Sequence, residues 1–141
     1  MQAYDDSNIF AKILRGEIPC TKVYEDDVAL AFMDIMPQVE GHILVISKSR
    51  ARTLLDIDPD ALGALMQRVQ RVGRAAVKAL GADGLTLQQF SESAGGQSVF
   101  HLHFHLLPRR AGVKVRPPEG PVEKPEVLAA LAARIRTELP G

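Results

Sequence analysis

Three of the four histidines in this 141-residue chain stand at every second position, His101, His103 and His105, with Leu102 and Phe104 between them and Leu106-Leu107-Pro108 behind. In a strand, alternate side chains leave on opposite faces, so this spacing predicts three imidazoles on one face above an apolar layer. Imidazole changes charge nearest neutrality, and a cluster can hold one ring neutral as a nucleophile or base while another carries a proton. A lone histidine on a strand is more often a structural group. Packing gives no reason to repeat it at every second position. A metal site is the stronger rival, because rings at i and i+2, roughly 7 Å apart at Cα, can share a zinc.

The loop that precedes the strand is small and polar, Ser91 to Ser98, and contains Gly95-Gly96-Gln97-Ser98. Its glycines allow close backbone approach, and the Gln97 amide and Ser98 hydroxyl are donors to an anion or leaving group. Taken alone, such a loop is an ordinary turn. Upstream, Asp34 closes a predicted strand over Val28 to Asp34, and its carboxylate is an acceptor only. His42 opens the apolar run Ile43 to Ile46, which reads as a buried strand.

The elements that must position these groups follow from periodicity. Ser7 can cap a short helix whose Ile9, Phe10, Ile13 and Leu14 share a face, ended by Gly16. Thr21 to Glu25 pairs with Val28 to Asp34 through an Asp26-Asp27 turn. Asp58-Pro59 starts a long amphipathic helix with Leu62, Leu65, Met66, Val69, Val72, Ala76 and Leu80 at intervals of three and four. Leu85 to Phe90 and Val99 to Leu107 are further strands, and Pro125 opens a last helix bearing Val127, Leu128, Leu131, Ile135 and Leu139. Regular βαβ alternation is missing. The order predicts an α+β fold, an antiparallel five-stranded sheet with helices packed on it.

Composition narrows the partners. Seventeen basic residues balance seventeen acidic ones, which predicts no general attraction to nucleic acid or to an anionic membrane. The arginines of the long helix read as a solvated face. The single cysteine, Cys20, permits no internal disulfide, and no run resembles a signal peptide or membrane span, so a cytoplasmic location is the default expectation.

Together, Gly95 to Arg109 resembles the His-x-His-x-His signature of the histidine-triad (HIT) family of nucleotide hydrolases and transferases. The resemblance extends to Asn8-Ile9-Phe10, to Phe32-Met33-Asp34-Ile35 and to Gly41 through Ile46. It implies one HIT domain over residues 1–141, its core about 8–110, followed by a linker and helix over 111–141. It also implies cleavage at the α-phosphorus of a purine nucleotide, such as an AMP or GMP derivative, by double displacement without a cofactor. By this likeness His103 attacks phosphorus and forms a nucleotidyl-histidine. His101, His105 and His42 assist at the phosphate, and Ser98 serves the leaving group. Gln97, Gly96 and Ser91 belong to the phosphate loop, Asp34 takes the ribose hydroxyls, and Ile9, Phe10, Ile13, Phe32, Met33 and Ile35 enclose the base. A phosphoramidate is the expected substrate and a dinucleoside polyphosphate the closest alternative. A metal-dependent hydrolase using His101, His103 and His42, or a non-catalytic nucleotide-binding module, ranks lower. The resemblance further implies a homodimer. Some members hold a structural zinc, and the positions here that match three of its ligands are Asn8, Ala11 and Arg50, none of which suits zinc. The expected site therefore contains no metal.

Overall fold

The computed structural model describes residues 2–139. Five strands form one antiparallel sheet in the order β1-β2-β3-β5-β4: β1 Lys22–Glu25, β2 Ala29–Met33, β3 Ile43–Ser47, β4 Gly84–Gln88 and β5 His103–Arg109. The helices are α1 Ile9–Leu14, α2 Pro59–Leu80 and α3 Pro125–Arg136. The α+β architecture expected from the order of elements is the one observed.

Local chemistry explains the boundaries. The β1–β2 turn forms because the Asp26 carboxylate accepts from the N–H groups of Val28 and Ala29. Arg68 of α2 also reaches Asp26, tying the hairpin to the long helix. Asp58 caps α2 by accepting from the amides of Asp60 and Ala61, and Gly81 ends it in the left-handed region at φ 62°. A cap of this kind contributes about 1 kcal/mol. The first helix starts one residue later than Ser7 suggested. Asn8 is its cap, accepting from Ala11 N–H, while Ser7 binds back to Asp5.

The sheet separates two apolar layers. On one face Ala29, Ala31, Met33, Ile43, Val45, Phe104 and Leu106 meet Leu65, Val69, Val72 and Ala76 of α2 and Leu128, Leu131 and Ile135 of α3. Burying each of the larger aliphatic chains contributes roughly 1.5–3 kcal/mol. On the other face Leu30, Phe32, Leu44 and Ile46 pack with Phe10, and Ile13, Leu14 and Cys20 join them. This second, thinner layer is the floor from which His103 and His105 rise.

The last segment also touches the site side of the molecule. Arg116 N–H donates to Gln38 O at 2.7 Å, and Glu123 N–H donates to Ile35 O at 2.8 Å. The linker before α3 is thus hydrogen-bonded along the loop that follows Asp34.

Candidate active site

The histidine strand is shorter than its sequence pattern. Regular pairing begins at His103, opposite Ile46, and places His105 opposite Leu44 and Gln88. Before it, the chain leaves the sheet. Leu102 N–H donates to Ala51 O, and Leu102 O accepts from Ser47 N–H. Strand alternation therefore governs only two of the three imidazoles.

His101 is fixed at both nitrogens, with Nε2 2.6 Å from Ser47 O and Nδ1 2.7 Å from the Tyr4 hydroxyl. A carbonyl can only accept, so Nε2 carries the proton and Nδ1 accepts from the phenol. With both nitrogens used and the ring 1% exposed, His101 has no atom left for a phosphate. This departs from the role the sequence suggested.

His103 is bonded at one nitrogen. Its Nδ1 lies 2.6 Å from His101 O, which fixes the proton on Nδ1 and leaves the Nε2 lone pair outward. The Phe10 ring meets His103 edge-on at 4.8 Å and 84°, so α1 sets the orientation of this imidazole. Burial lowers its pKa to about 4, against the opposing pull of the His101 carbonyl, and the ring is neutral at pH 7.

His105 belongs to a second chain of hydrogen bonds. Gln38 N–H donates to His42 Nδ1 at 3.0 Å, so a neutral His42 carries its proton on Nε2. That nitrogen lies 3.0 Å from His105 Nδ1, which must accept, and the His105 proton is left on Nε2. One main-chain amide thereby determines that His105 presents a donor beside the lone pair of His103. The two rings are 5.1 Å apart. Burial is the larger cause that holds both His42 and His105 down at about 4, reinforced at His42 by the Arg116 charge and at His105 by His42.

Asp34 sits at the end of β2 on the same face. Its Oδ1 accepts from Met36 N–H at 2.8 Å, and Oδ2 is 3.5 Å from His42 Nε2. Burial raises its pKa, partly offset by the Met36 amide. Asp34, His42 and His105 offer ligand atoms within 4.8 Å of one another, the one such trio among the described residues. It is a poor zinc site. His42 could ligate through Nε2 only by losing the proton that the Gln38 amide places there, and that proton is already committed to His105 Nδ1. The trio also differs from the His101, His103 and His42 set considered from sequence, because His101 has no free nitrogen.

The Gln97 side chain is buried and turned into its own loop. Its Oε1 accepts from Glu92 N–H at 2.7 Å and its Nε2 donates to Arg52 O and Val99 O, so the whole amide is spent shaping the loop. Glu92, held at φ 66°, is pinned further by Nε and Nη2 of the buried Arg52, each donating to one carboxylate oxygen at 2.9 Å. Gly96 at φ 99° lies against Phe90, whose ring meets His105 at 5.7 Å. Ser91 exchanges hydrogen bonds with the Gln89 amide. Ser98 is exposed and lines a cavity of ≈ 660 Å³ with Asp5, Asn8, Ile9, Arg52 and Phe100.

The base-enclosing residues divide. Phe10 and Phe32 are buried in the layer beneath the histidines, with Ile13 at its margin. Ile9 and Ile35 are large apolar side chains left 46% and 53% exposed, as a slot wall would be. Met33 is different. It alternates with Phe32 and is buried against α2 on the opposite face, so it lines no part of the histidine side. Sequence reasoning missed Tyr4, Phe90 and the Arg52–Glu92 pair, which act by contacts distant in sequence, and Gln38, which acts on the nearby His42 through its main-chain N–H and so carries no side-chain signal. At the zinc-like positions, Asn8 presents a carboxamide whose oxygen already accepts from Ala11 N–H, Ala11 a methyl and Arg50 a cation, a set that supplies no thiolate or imidazole for zinc.

A family model described as "HIT domain" matches residues 15–112. A crystal structure of a HIT-like protein from Bartonella henselae is 49% identical, covers 98% of this chain and 100% of its own, and superposes with a TM-score of 0.93. Adenosine 5'-monophosphoramidase hnt1 of Schizosaccharomyces pombe is 34% identical over 94% of this chain and 98% of its own length. Adenylylsulfatase HINT3 of Arabidopsis thaliana is 41% identical over 72% of the chain, which spans about half, 52%, of that longer relative. A zinc-bound histidine triad family protein from Mycobacterium smegmatis shares 33% identity at a TM-score of 0.80, covering 94% of this chain and 92% of its own. The motif, the sheet order and these relatives agree, and the chain belongs to the HIT family.

Proposed function

We propose that this protein is a nucleotide hydrolase that cleaves the P–N bond of purine nucleoside 5'-phosphoramidates, working as one HIT domain. The observation that carries this reading is the His101 carbonyl on His103 Nδ1, which turns the Nε2 lone pair outward as a neutral nucleophile. In the first step Nε2 attacks the α-phosphorus and a P–Nε2 bond forms. The P–N bond to the leaving group breaks, and the departing nitrogen takes a proton from solvent through the Ser98 hydroxyl. Water then attacks the same phosphorus and releases a proton to solvent, the P–Nε2 bond breaks with its electron pair returning to Nε2, and the nucleoside monophosphate leaves. His105 Nε2–H donates to the phosphate oxygen that gains charge, a preorganised stabilisation of the transition state. Asp34 Oδ2 accepts from a ribose hydroxyl, and Phe10, Ile13 and Phe32 with the exposed Ile9 and Ile35 take the base. Apolar walls read shape more than hydrogen-bonding edges, so discrimination between adenine and guanine is weak.

Full-length similarity to the fission-yeast phosphoramidase favours an amine as leaving group, and the Arabidopsis relative, named an adenylylsulfatase, makes adenylyl sulfate, with sulfate as leaving group, the comparison substrate. We also propose that the protein is a homodimer through β4, an edge strand on which Leu85 and Leu87 are 41% and 44% exposed. The functional test is His103→Ala against adenosine 5'-phosphoramidate. Turnover is expected to fall at least ~10³-fold while AMP still binds, and retention of wild-type turnover would refute the covalent mechanism.

A further inference from the structure

We propose that Tyr4 is a positioning residue for the nucleophile, acting through His101 in a metal-free network. The inference rests on the assignment of His103 as nucleophile. The Tyr4 hydroxyl donates to His101 Nδ1 at 2.7 Å and accepts from Asn8 Nδ2 at 3.3 Å, while the two rings meet edge-on at 5.6 Å. The Arg50 guanidinium lies 5.0 Å above the Tyr4 ring and pairs with Asp6.

The direction of every proton in this chain is fixed. Ser47 O can only accept, so His101 Nε2 donates and its Nδ1 must accept. The phenol therefore donates, and its oxygen accepts from the Asn8 amide. The opposite end of the network is the His101 carbonyl, which accepts from His103 Nδ1. That carbonyl and the Leu102 N–H belong to one peptide plane, and Leu102 N–H is itself bonded to Ala51 O at 2.9 Å. Anchoring the His101 ring at both nitrogens fixes the residue that carries this plane. The plane then decides which nitrogen of His103 is nucleophilic.

Two of the three positions matching zinc ligands elsewhere in the family, Asn8 and Arg50, contact Tyr4 directly. The third, Ala11, donates its amide to the Asn8 side chain. The phenol thus stands at the centre of a cluster whose members cannot hold a metal. It supplies by hydrogen bonding the anchorage of His101 to the N-terminal segment.

The test is Tyr4→Phe, which keeps the ring beneath Arg50 and removes only the hydroxyl. On adenosine 5'-phosphoramidate kcat is expected to fall about five- to tenfold, the effect of one lost hydrogen bond, with KM within about twofold. In ¹⁵N-edited NMR the hydrogen-bonded Nδ1–H of His103 should broaden or exchange faster. Wild-type kcat together with an unchanged Nδ1–H signal would overturn the proposal, as would a rise in KM alone. Asn8→Ser keeps a helix cap while withdrawing the donor to Tyr4, and should shift the same signal in the same direction. That variant decides the matter if Tyr4→Phe does not fold, an unchanged signal being refutation. A chelator should leave the thermal midpoint of the wild type unmoved, and a fall would refute the metal-free network. Because the NMR signal is read without turnover, failure of the nucleophile assignment, seen as an active His103→Ala, is distinguishable from failure of the network.

Discussion

Acidification from pH 7 to 5.5 should remove a large part of the protein's stability before it abolishes the chemistry. His42, His103 and His105 have pKa values of about 4 in the folded state, burial being the largest cause in each. In the unfolded chain a histidine titrates near 6.5. The folded value is the lower one, so between about 6.5 and 4 the unfolded chain binds more protons, and stability falls as pH falls through that window. Below about 4 these rings contribute no further slope. At pH 5.5 an unfolded imidazole is about nine-tenths protonated and a buried one hardly at all, a linkage of about 1.4 kcal/mol per ring. Three rings give about 4 kcal/mol, reduced toward about 3 because His42 and His105 share a hydrogen bond and titrate as a pair. Against a domain stability of about 5–15 kcal/mol this is readily measured. Urea unfolding followed by circular dichroism at pH 7.0, 6.5, 6.0 and 5.5 gives the slope directly. His105→Gln should reduce that slope by about a third. A stability constant across this range, or native imidazole shifts titrating near 6.5 in NMR, would refute the buried neutral triad.

Two further outcomes follow from the site geometry. His42→Phe keeps an aromatic ring but removes the donor to His105 Nδ1, so the His105 proton moves to that nitrogen and an acceptor faces the phosphate. Loss of an oxyanion donor predicts a fall in kcat on the order of 10², with His42→Gln recovering part of it through its amide, and equal activity in the two variants would contradict the relay. Gly96→Ala places a Cβ 3.2 Å from the Phe90 ring at φ 99°. Denaturation should show about 1–2 kcal/mol of lost stability, accompanied by lower kcat/KM as Phe90 shifts against His105.

Most of the scaffold was legible because its signals are local. Asp58-Pro59 with a three-and-four stripe specifies α2, and the Asp26 turn specifies the β1–β2 hairpin. The histidine strand was read too long at its N-terminal end because alternation of residue type continues through His101 while the hydrogen bonds do not. Leu102 exchanges with Ser47 and Ala51, residues about fifty positions earlier, and no local pattern encodes that. Met33 failed for a related reason. A run buried on both faces, as β2 is throughout, has no polar alternation to tell one face from the other. The chemistry of Gln97 suits an anion, but its amide is drawn to Glu92 and Val99 of its own loop and to Arg52, which only the tertiary fold brings near.

The motif makes the three imidazoles equivalent, and the fold makes them unequal by the acceptors and donors it places at each Nδ1. A phenol at His101 leaves that ring a structural acceptor, a carbonyl at His103 leaves a lone pair outward, and His42 at His105 leaves a proton outward. All three are neutral at pH 7, so their difference is one of tautomer and not of charge. Tautomers of a neutral imidazole interconvert at modest cost, and a single hydrogen bond of about 1 kcal/mol is enough to bias each. This is how a site built from one residue type presents an outward lone pair and an outward donor side by side. On the proposed mechanism the vulnerable points are therefore Tyr4, Gln38 and the 101–102 peptide, which act only through the imidazoles they hold.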